Sequence, residues 1–178
     1  ARSALASVDS GLFFERETSL AGRKVVQTLE PRVFYLYSQF DNQSAQPDFD
    51  SAELTFNYNQ LFRDTRFSGR DRLDDANQLA VGVTTRFLDQ ETGFERFNAS
   101  IGQIFYFTNR RVRLLAADPE LDQSSSELAG ELNFYPNERL TVRSNLQYDP
   151  STGKMNAGNF LASYNRKDES VINVGYTF

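Results

Sequence analysis

Polar and apolar residues alternate along most of the chain with a period of two. Successive side chains of an extended strand point to opposite faces, so this period describes a sheet with one greasy side and one polar side. Residues 78–88 show it most plainly. Leu79, Val81, Val83, Thr85 and Phe87 fall on one face, and Gln78, Ala80, Gly82, Thr84 and Arg86 on the other. The same pattern predicts strands over 12–18, 26–37, 53–59, 94–107, 127–134, 139–148, 159–166 and 171–178. That makes about nine strands, several of them near the roughly 9–11 residues that cross a bilayer when tilted, and no stretch carries a helical period.

Within 26–37 the two faces differ in an informative way. Leu29, Pro31, Val33, Tyr35 and Tyr37 share one face, while Thr28, Glu30 and Arg32 begin the other. Phe34 and Leu36 then turn that second face apolar, which requires something packed over them, a loop or a plug. Pro31 has no N–H to give a ladder, so a bulge or locally weak pairing is expected there.

The connectors separate into two kinds. Segments 89–93, 135–138 and 166–170 are short and rich in turn formers; 63–77, 108–126 and 149–154 read as the longer loops between them. Short turns at one end and long loops at the other describe an antiparallel up-and-down meander, the arrangement of outer-membrane barrels. Segment 38–50 fits poorly, because counting strands places it at the short-turn end and it is long. A soluble β-sandwich also alternates. The strand ends favour the barrel: Tyr35, Tyr37, Phe105, Phe107, Phe134, Tyr135, Tyr148, Tyr164, Tyr176 and Phe178 gather there, where aromatic girdles mark the lipid–water boundary.

Composition narrows the chemistry. The chain has no Cys, His or Trp, which removes Ser-His-Asp and Cys nucleophile chemistry and ordinary zinc sites. No phosphate-cradling glycine loop is present, and no cofactor is expected. A net charge of −5 gives no general attraction to nucleic acid. The hydrophobic fraction of 39% looks soluble, yet 16 Phe and 8 Tyr on a strand pattern also suit a barrel whose apolar outside and polar inside average out. No apolar run reaches the length of a membrane helix. The start ARSALASVDSG lacks Met and flows into a strand pattern, so the chain is read as a fragment whose last strand, ending VGYTF, is truncated.

The pieces TLEPR (28–32), FSGRDR (67–72), DANQ (75–78), TTR (84–86) and ASIGQI (99–104) together resemble the lipopolysaccharide-assembly outer-membrane protein family (LptD, also OstA or Imp). The resemblance is dense from about residue 11 to 107 and looser beyond. It implies a very large parent barrel, near the roughly 26-strand end of the single-chain range. Residues 1–178 would be part of that barrel domain, an incomplete all-β antiparallel up-and-down transmembrane barrel. The N-terminal jelly roll, the family's cysteines and the closing strands lie outside it. The implied function is non-enzymatic: a wall segment of the translocon that inserts lipopolysaccharide into the outer leaflet of the bacterial outer membrane. Implied partners are lipopolysaccharide, outer-membrane lipid, a lumenal plug lipoprotein (LptE) and, through the absent N-terminal domain, a periplasmic bridge protein (LptA). A soluble β-sheet binding module and a porin-like channel wall remain as alternatives.

On this reading Thr28, Glu30, Arg32, Thr84, Arg86, Arg96, Asn98 and Ser100 face the lumen. Arg66, Phe67, Arg70, Asp71, Arg72, Asp74 and Asp75 form a self-paired loop over the lumen that touches the plug, since Phe67 and Leu73 would otherwise be exposed. Arg110, Arg111 and Arg113 follow an aromatic strand end and are candidates for lipid phosphate, which arginine suits. Asp41, Asn42, Asp48 and Asp50 offer hard oxygens for Ca²⁺ but lack the spacing of a calcium loop, and a plain acidic loop is expected.

Overall fold

The computed structural model describes residues 3–43, 49–69, 71–115, 118, 121–166 and 170–178. They form one antiparallel sheet of nine strands: β1 (Leu5–Gly11), β2 (Phe14–Leu20), β3 (Arg23–Ser38), β4 (Ala76–Asp89), β5 (Glu95–Tyr106), β6 (Leu128–Asn137), β7 (Leu140–Asp149), β8 (Lys154–Asn165) and β9 (Val171–Thr177). The order is β1-β3-β4-β5-β6-β7-β8-β9, with β2 also on β3, so the sheet is open and β9 lies at one edge.

β1 and β2 lie end to end along β3 in a single unbroken register, from Leu5 opposite Ser38 to Leu20 opposite Arg23. The gap between them falls where Leu12 donates its N–H to the carbonyl of Pro31 at 3.0 Å. In an antiparallel pair of this kind the partner returns the bond, and proline has no N–H to return. Pro31 therefore removes one ladder bond without a bulge, and its register to β4 also runs on unshifted.

Segment 53–59 is not a strand. Asn57 caps a 3₁₀ turn, Tyr58–Phe62, its side chain accepting from the N–H groups of Asn59 and Gln60. A small ladder joins 52–54 to 66–68 through Leu54 N–H to Arg66 O and Ser68 N–H to Ala52 O, both at 2.8 Å. The connection from β3 to β4 is thus one long excursion folded back on the sheet, called the strap below. It takes 53–59 out of the strands while β1 keeps the total at nine, and it puts the residues that leave β3 at the long-loop end. The turns at 21–22, 90–94 and 138–139 share the other end with the last residues of β8 and the first of β9. Residues 149–153 make a tight turn, with Gly153 at φ 69° and Asp149 accepting from the Ser151 N–H at 2.8 Å.

Register places Leu29, Val33, Tyr35, Tyr37, Val83, Ile101, Phe105, Leu132, Phe134, Phe160, Tyr164, Val174 and Tyr176 on one face. Nothing covers it among the described residues, and most of these side chains are exposed. The core lies on the other face: Phe34, Leu36, Ala80, Ile104 and Ala129 of the sheet with Leu61 of the strap, flanked by Phe56, Tyr58, Phe62 and Tyr106. Phe34 and Leu36 owe their burial to the strap.

Candidate functional site: the polar face and the strap

A continuous hydrogen-bonded belt crosses the polar face from β3 to β6. Thr28 donates to Glu30 at 2.7 Å, and Arg86 bridges Glu30 at 3.1 Å and Glu95 at 3.0 Å. Asn98 donates to Glu95, and Asn133 donates to Asn98 at 2.9 Å and Glu131 at 3.0 Å. Thr84 and Ser100, cross-strand neighbours, are 2.9 Å apart, and Thr84 donates to the Tyr58 hydroxyl at 3.1 Å. Arg32 pairs with Asp9 at 2.5 Å and lies 4.3 Å from the centre of the Phe62 ring. Thr28, Glu30, Arg32, Thr84, Arg86, Asn98 and Ser100 therefore share one face. Arg96 does not join them. It is the extra residue of a bulge where Leu88 pairs with Glu95, and it bonds Asp89 at 3.0 Å and the Pro136 carbonyl at 3.4 Å near the turn end.

The strap docks into a trough made by two glycines. Gly82 and Gly102 oppose each other across β4 and β5. A β-carbon on Gly102 would lie 2.6 Å from the Leu61 side chain, and one on Gly82 would lie 2.8 Å from the Phe62 ring. The missing side chains are what let Leu61, wholly buried, reach the sheet. Gln147 extends the attachment to β7 by donating to the Phe56 carbonyl at 2.5 Å.

Asp74 and Asp75 tie the strap to the loop after β5. Asp74 accepts the Arg66 N–H at 2.9 Å and faces its guanidinium at 3.0 Å. That second contact is a charge pairing without hydrogen-bond alignment, since Arg66 Nε and Asp74 Oδ1 form no hydrogen bond. Burial pushes the Asp74 carboxyl above its ordinary range, and the Arg66 charge opposes the push. Asp75 accepts the N–H groups of Arg111 at 2.8 Å and Val112 at 2.9 Å, and Arg66 donates to the Val112 carbonyl at 2.5 Å. Arg72 donates to the Arg113 carbonyl at 3.3 Å. Asp71 accepts the N–H groups of Phe49 and Asp50, which lower its pKa. Phe67 is buried under the Arg66 guanidinium, while Leu73 and Phe49 stay exposed. Arg70 lies outside the described residues, as does Asp48 of the acidic stretch. Among the described residues no group of three potential ligands could hold a metal ion.

The three loop arginines part company. Arg110 is buried, its guanidinium 3.6 Å from the centre of the Tyr106 ring and bonded to Gln123 at 3.1 Å. Arg113 donates to the Asp118 carbonyl at 2.7 Å. Arg111 is exposed and stacks on Phe40 at 3.9 Å. The docking of residues 56–62 into the glycine trough and the anchoring of Asp75 to the loop after β5 are the features that sequence reasoning missed. The paired Gly82 and Gly102 were the signal that could have located the trough.

The model of the family described as "LptD: LPS transport system D" matches residues 3–178. The LPS-assembly protein LptD of Xanthomonas oryzae pv. oryzae is 39% identical over 181 residues, covering 98% of this chain and 22% of that protein. The proteins of the same name from Pseudomonas putida F1 and Pseudomonas aeruginosa LESB58 are 43% and 42% identical, over 97% and 98% of this chain. The chain spans about a fifth of the length of these relatives. A sheet of this pattern, matched along nearly its whole length, belongs to the LptD family of lipopolysaccharide transport proteins.

Proposed function

We propose that residues 1–178 form a stretch of barrel wall in an outer-membrane protein that assembles lipopolysaccharide, with a structural rather than catalytic part in it. One observation carries the reading: a wide apolar face stands uncovered while the opposite face is polar and internally bonded. Lipid is the solvent that suits the first, and a water-filled lumen suits the second. Strand length agrees. The 14 residues of β4, at about 3.4 Å each and a tilt of about 45°, span about 34 Å across a bilayer, enough for its hydrocarbon core of about 30 Å. With the polar face inward, the strap sits inside the barrel.

The further parts of the reading concern partners. A lumenal lipoprotein (LptE) would meet the strap at Phe49 and Leu73, whose exposed side chains flank Asp71. A periplasmic bridge protein (LptA) would engage a domain outside this chain. Changing Phe49 and Leu73 to Asp in the full-length protein tests the contact. The protein is expected to reach the outer-membrane fraction while losing most of the co-purified lipoprotein. Unchanged co-purification would remove that contact, and absence of the wild-type protein from the outer membrane would remove the barrel reading.

A further inference from the structure

We propose that the loop end of β3, β4 and β5 carries a binding site for the phosphate of a lipid headgroup in the surrounding leaflet, with Arg111 as its cation. The inference rests on the barrel reading, because it needs the apolar face to meet lipid. A hollow of about 420 Å³ on the polar face and a smaller one beneath the strap belong to the lumenal side, whereas the hollow at issue lies at the rim of the apolar face. It measures about 300 Å³ and is bordered by Tyr37, Phe40, Asn77, Thr108, Asn109 and Arg111.

Three observations give it its chemistry. First, its polar side chains are donors with capacity to spare. Among the described residues Arg111 has no carboxylate or carbonyl on its guanidinium and is held only by the Phe40 ring. Arg110 and Arg113, by contrast, are spent on Gln123 and the Asp118 carbonyl. Asn77 uses its carbonyl oxygen to accept from Tyr35 at 3.0 Å, which leaves its NH₂ for a ligand. Second, the one carboxylate at the border, Asp75, is buried, accepts the N–H groups of Arg111 and Val112, and has its charge offset by the Arg66 guanidinium 3.9 Å away. That same bond fixes the backbone of Arg111, and stacking on Phe40 orients its planar fork for bidentate phosphate contact.

Third, the hollow tops an aromatic wall. Tyr37 pairs with Asn77, and the Phe107 N–H bonds the Asn77 carbonyl at 2.8 Å. One step down the sheet, Tyr35, Leu79 and Phe105 form the next row. Tyr37, Phe105 and Phe107 are all exposed on this side. An occupant with its phosphate at Arg111 would lay acyl chains along these rings. A free inorganic anion would leave that wall unused, so the site is assigned to a phosphorylated lipid.

The test uses the full-length protein in detergent micelles and three probes: bisphosphorylated lipid A, the same lipid with its phosphates removed, and inorganic phosphate. Binding is read as a photo-cross-link from a reactive residue placed at Asn109. The phosphorylated lipid is expected to cross-link, and Arg111→Glu is expected to weaken its apparent affinity by about tenfold or more, the value of a charge-assisted contact. Arg113→Ala, outside the hollow, should leave it unchanged. Equal cross-linking by the dephosphorylated lipid overturns the proposal, as does suppression by inorganic phosphate at concentrations far below those of ordinary buffers. Insensitivity to Arg111→Glu also overturns it. Lipid-chain quenching at Val83 and Ile101, measured on the same preparations, separates the failures. If those positions meet lipid and Arg111 has no effect, only this inference falls; if they do not, the barrel reading falls with it.

Discussion

Gly82 and Gly102 face each other across β4 and β5, and neither has room for a β-carbon. At Gly102 part of the obstruction is the Val81 carbonyl, 2.6 Å from an added Cβ, which cannot swing away as a side chain could. Gly102→Ala should therefore cost about 1–3 kcal/mol of strap docking, as overpacking does. Faster proteolysis within the strap, with the sheet intact, is the readout. Arg66 carries a different burden. Its removal takes from the buried Asp74 its ion-pair partner, so Arg66→Ala should destabilise the fold by about 3 kcal/mol in thermal unfolding, and the paired change with Asp74→Asn by clearly less. Asp71 sets a pH dependence. Its folded pKa lies below the ordinary carboxylate range, so the unfolded chain binds its proton first as pH falls. Its support for the Phe49–Asp50 backbone is thus full above about pH 4 and lost as pH drops through the lowered value. Acid-induced cleavage near residue 50 should lose this pH dependence in Asp71→Asn. Pro31 predicts its own repair: Pro31→Ala supplies a donor for the Leu12 carbonyl, and the new N–H should be protected in hydrogen exchange. Free exchange there would contradict the register across the gap.

At the scale of elements, the sequence was readable wherever apolar and polar residues alternate strictly. β3 to β7 and β9 show clean alternation, with apolar side chains gathered on one face of the sheet and polar ones on the other. β1, LASVDSG, was missed because its short polar side chains leave little contrast between faces. The first half of β8 was missed likewise, its MNAGN run alternating weakly. Residues 53–59 misled in the opposite sense. Leu54, Phe56 and Tyr58 alternate as a strand would, but Phe56 and Tyr58 pack on the sheet beneath, Leu54 bonds back to Arg66, and Asn57 caps the turn between them. Tertiary packing decided that segment. Phe34 and Leu36, apolar on a polar face, were the legible sign that something covers them, though they could not say what. The candidate site was legible to the same degree: face membership followed from parity, whereas Arg96 left the face through a bulge that no parity argument contains. The strap's anchorage rests chiefly on Leu61, so Leu61→Ala should cost about 2–5 kcal/mol of that local stability, visible as strap cleavage without loss of strand signal.

On the scale of the molecule, the open sheet presents a long edge at β9, another along β1 and β2, and an uncovered apolar face. Exposed edges and large apolar patches drive association in water. The isolated chain is expected to aggregate in detergent-free buffer and to disperse in micelles. A sandwich reading would have required a second sheet over that face, and among the described residues the only material packed on the sheet lies on the opposite, polar side. Polar groups do occur on the apolar face near the turn end, where Arg16, Gln27 and Thr85 bond in a row at 2.8 and 3.2 Å. On the barrel reading they would mark the lower boundary of the apolar band, as the Tyr37–Asn77–Phe107 row would mark the upper one.

The central claim is which solvent each face meets. This chain has no cysteine, so single cysteines can be placed in the full-length protein once any cysteines elsewhere are accounted for. An environment-sensitive probe at Val83, Ile101 and Leu132 on one face, and at Arg86, Asn98 and Asn145 on the other, is then challenged with a lipid-chain quencher and a water-soluble one. The first three are expected to answer to lipid and the second three to water. If no position answers to lipid, the sheet is not a membrane wall.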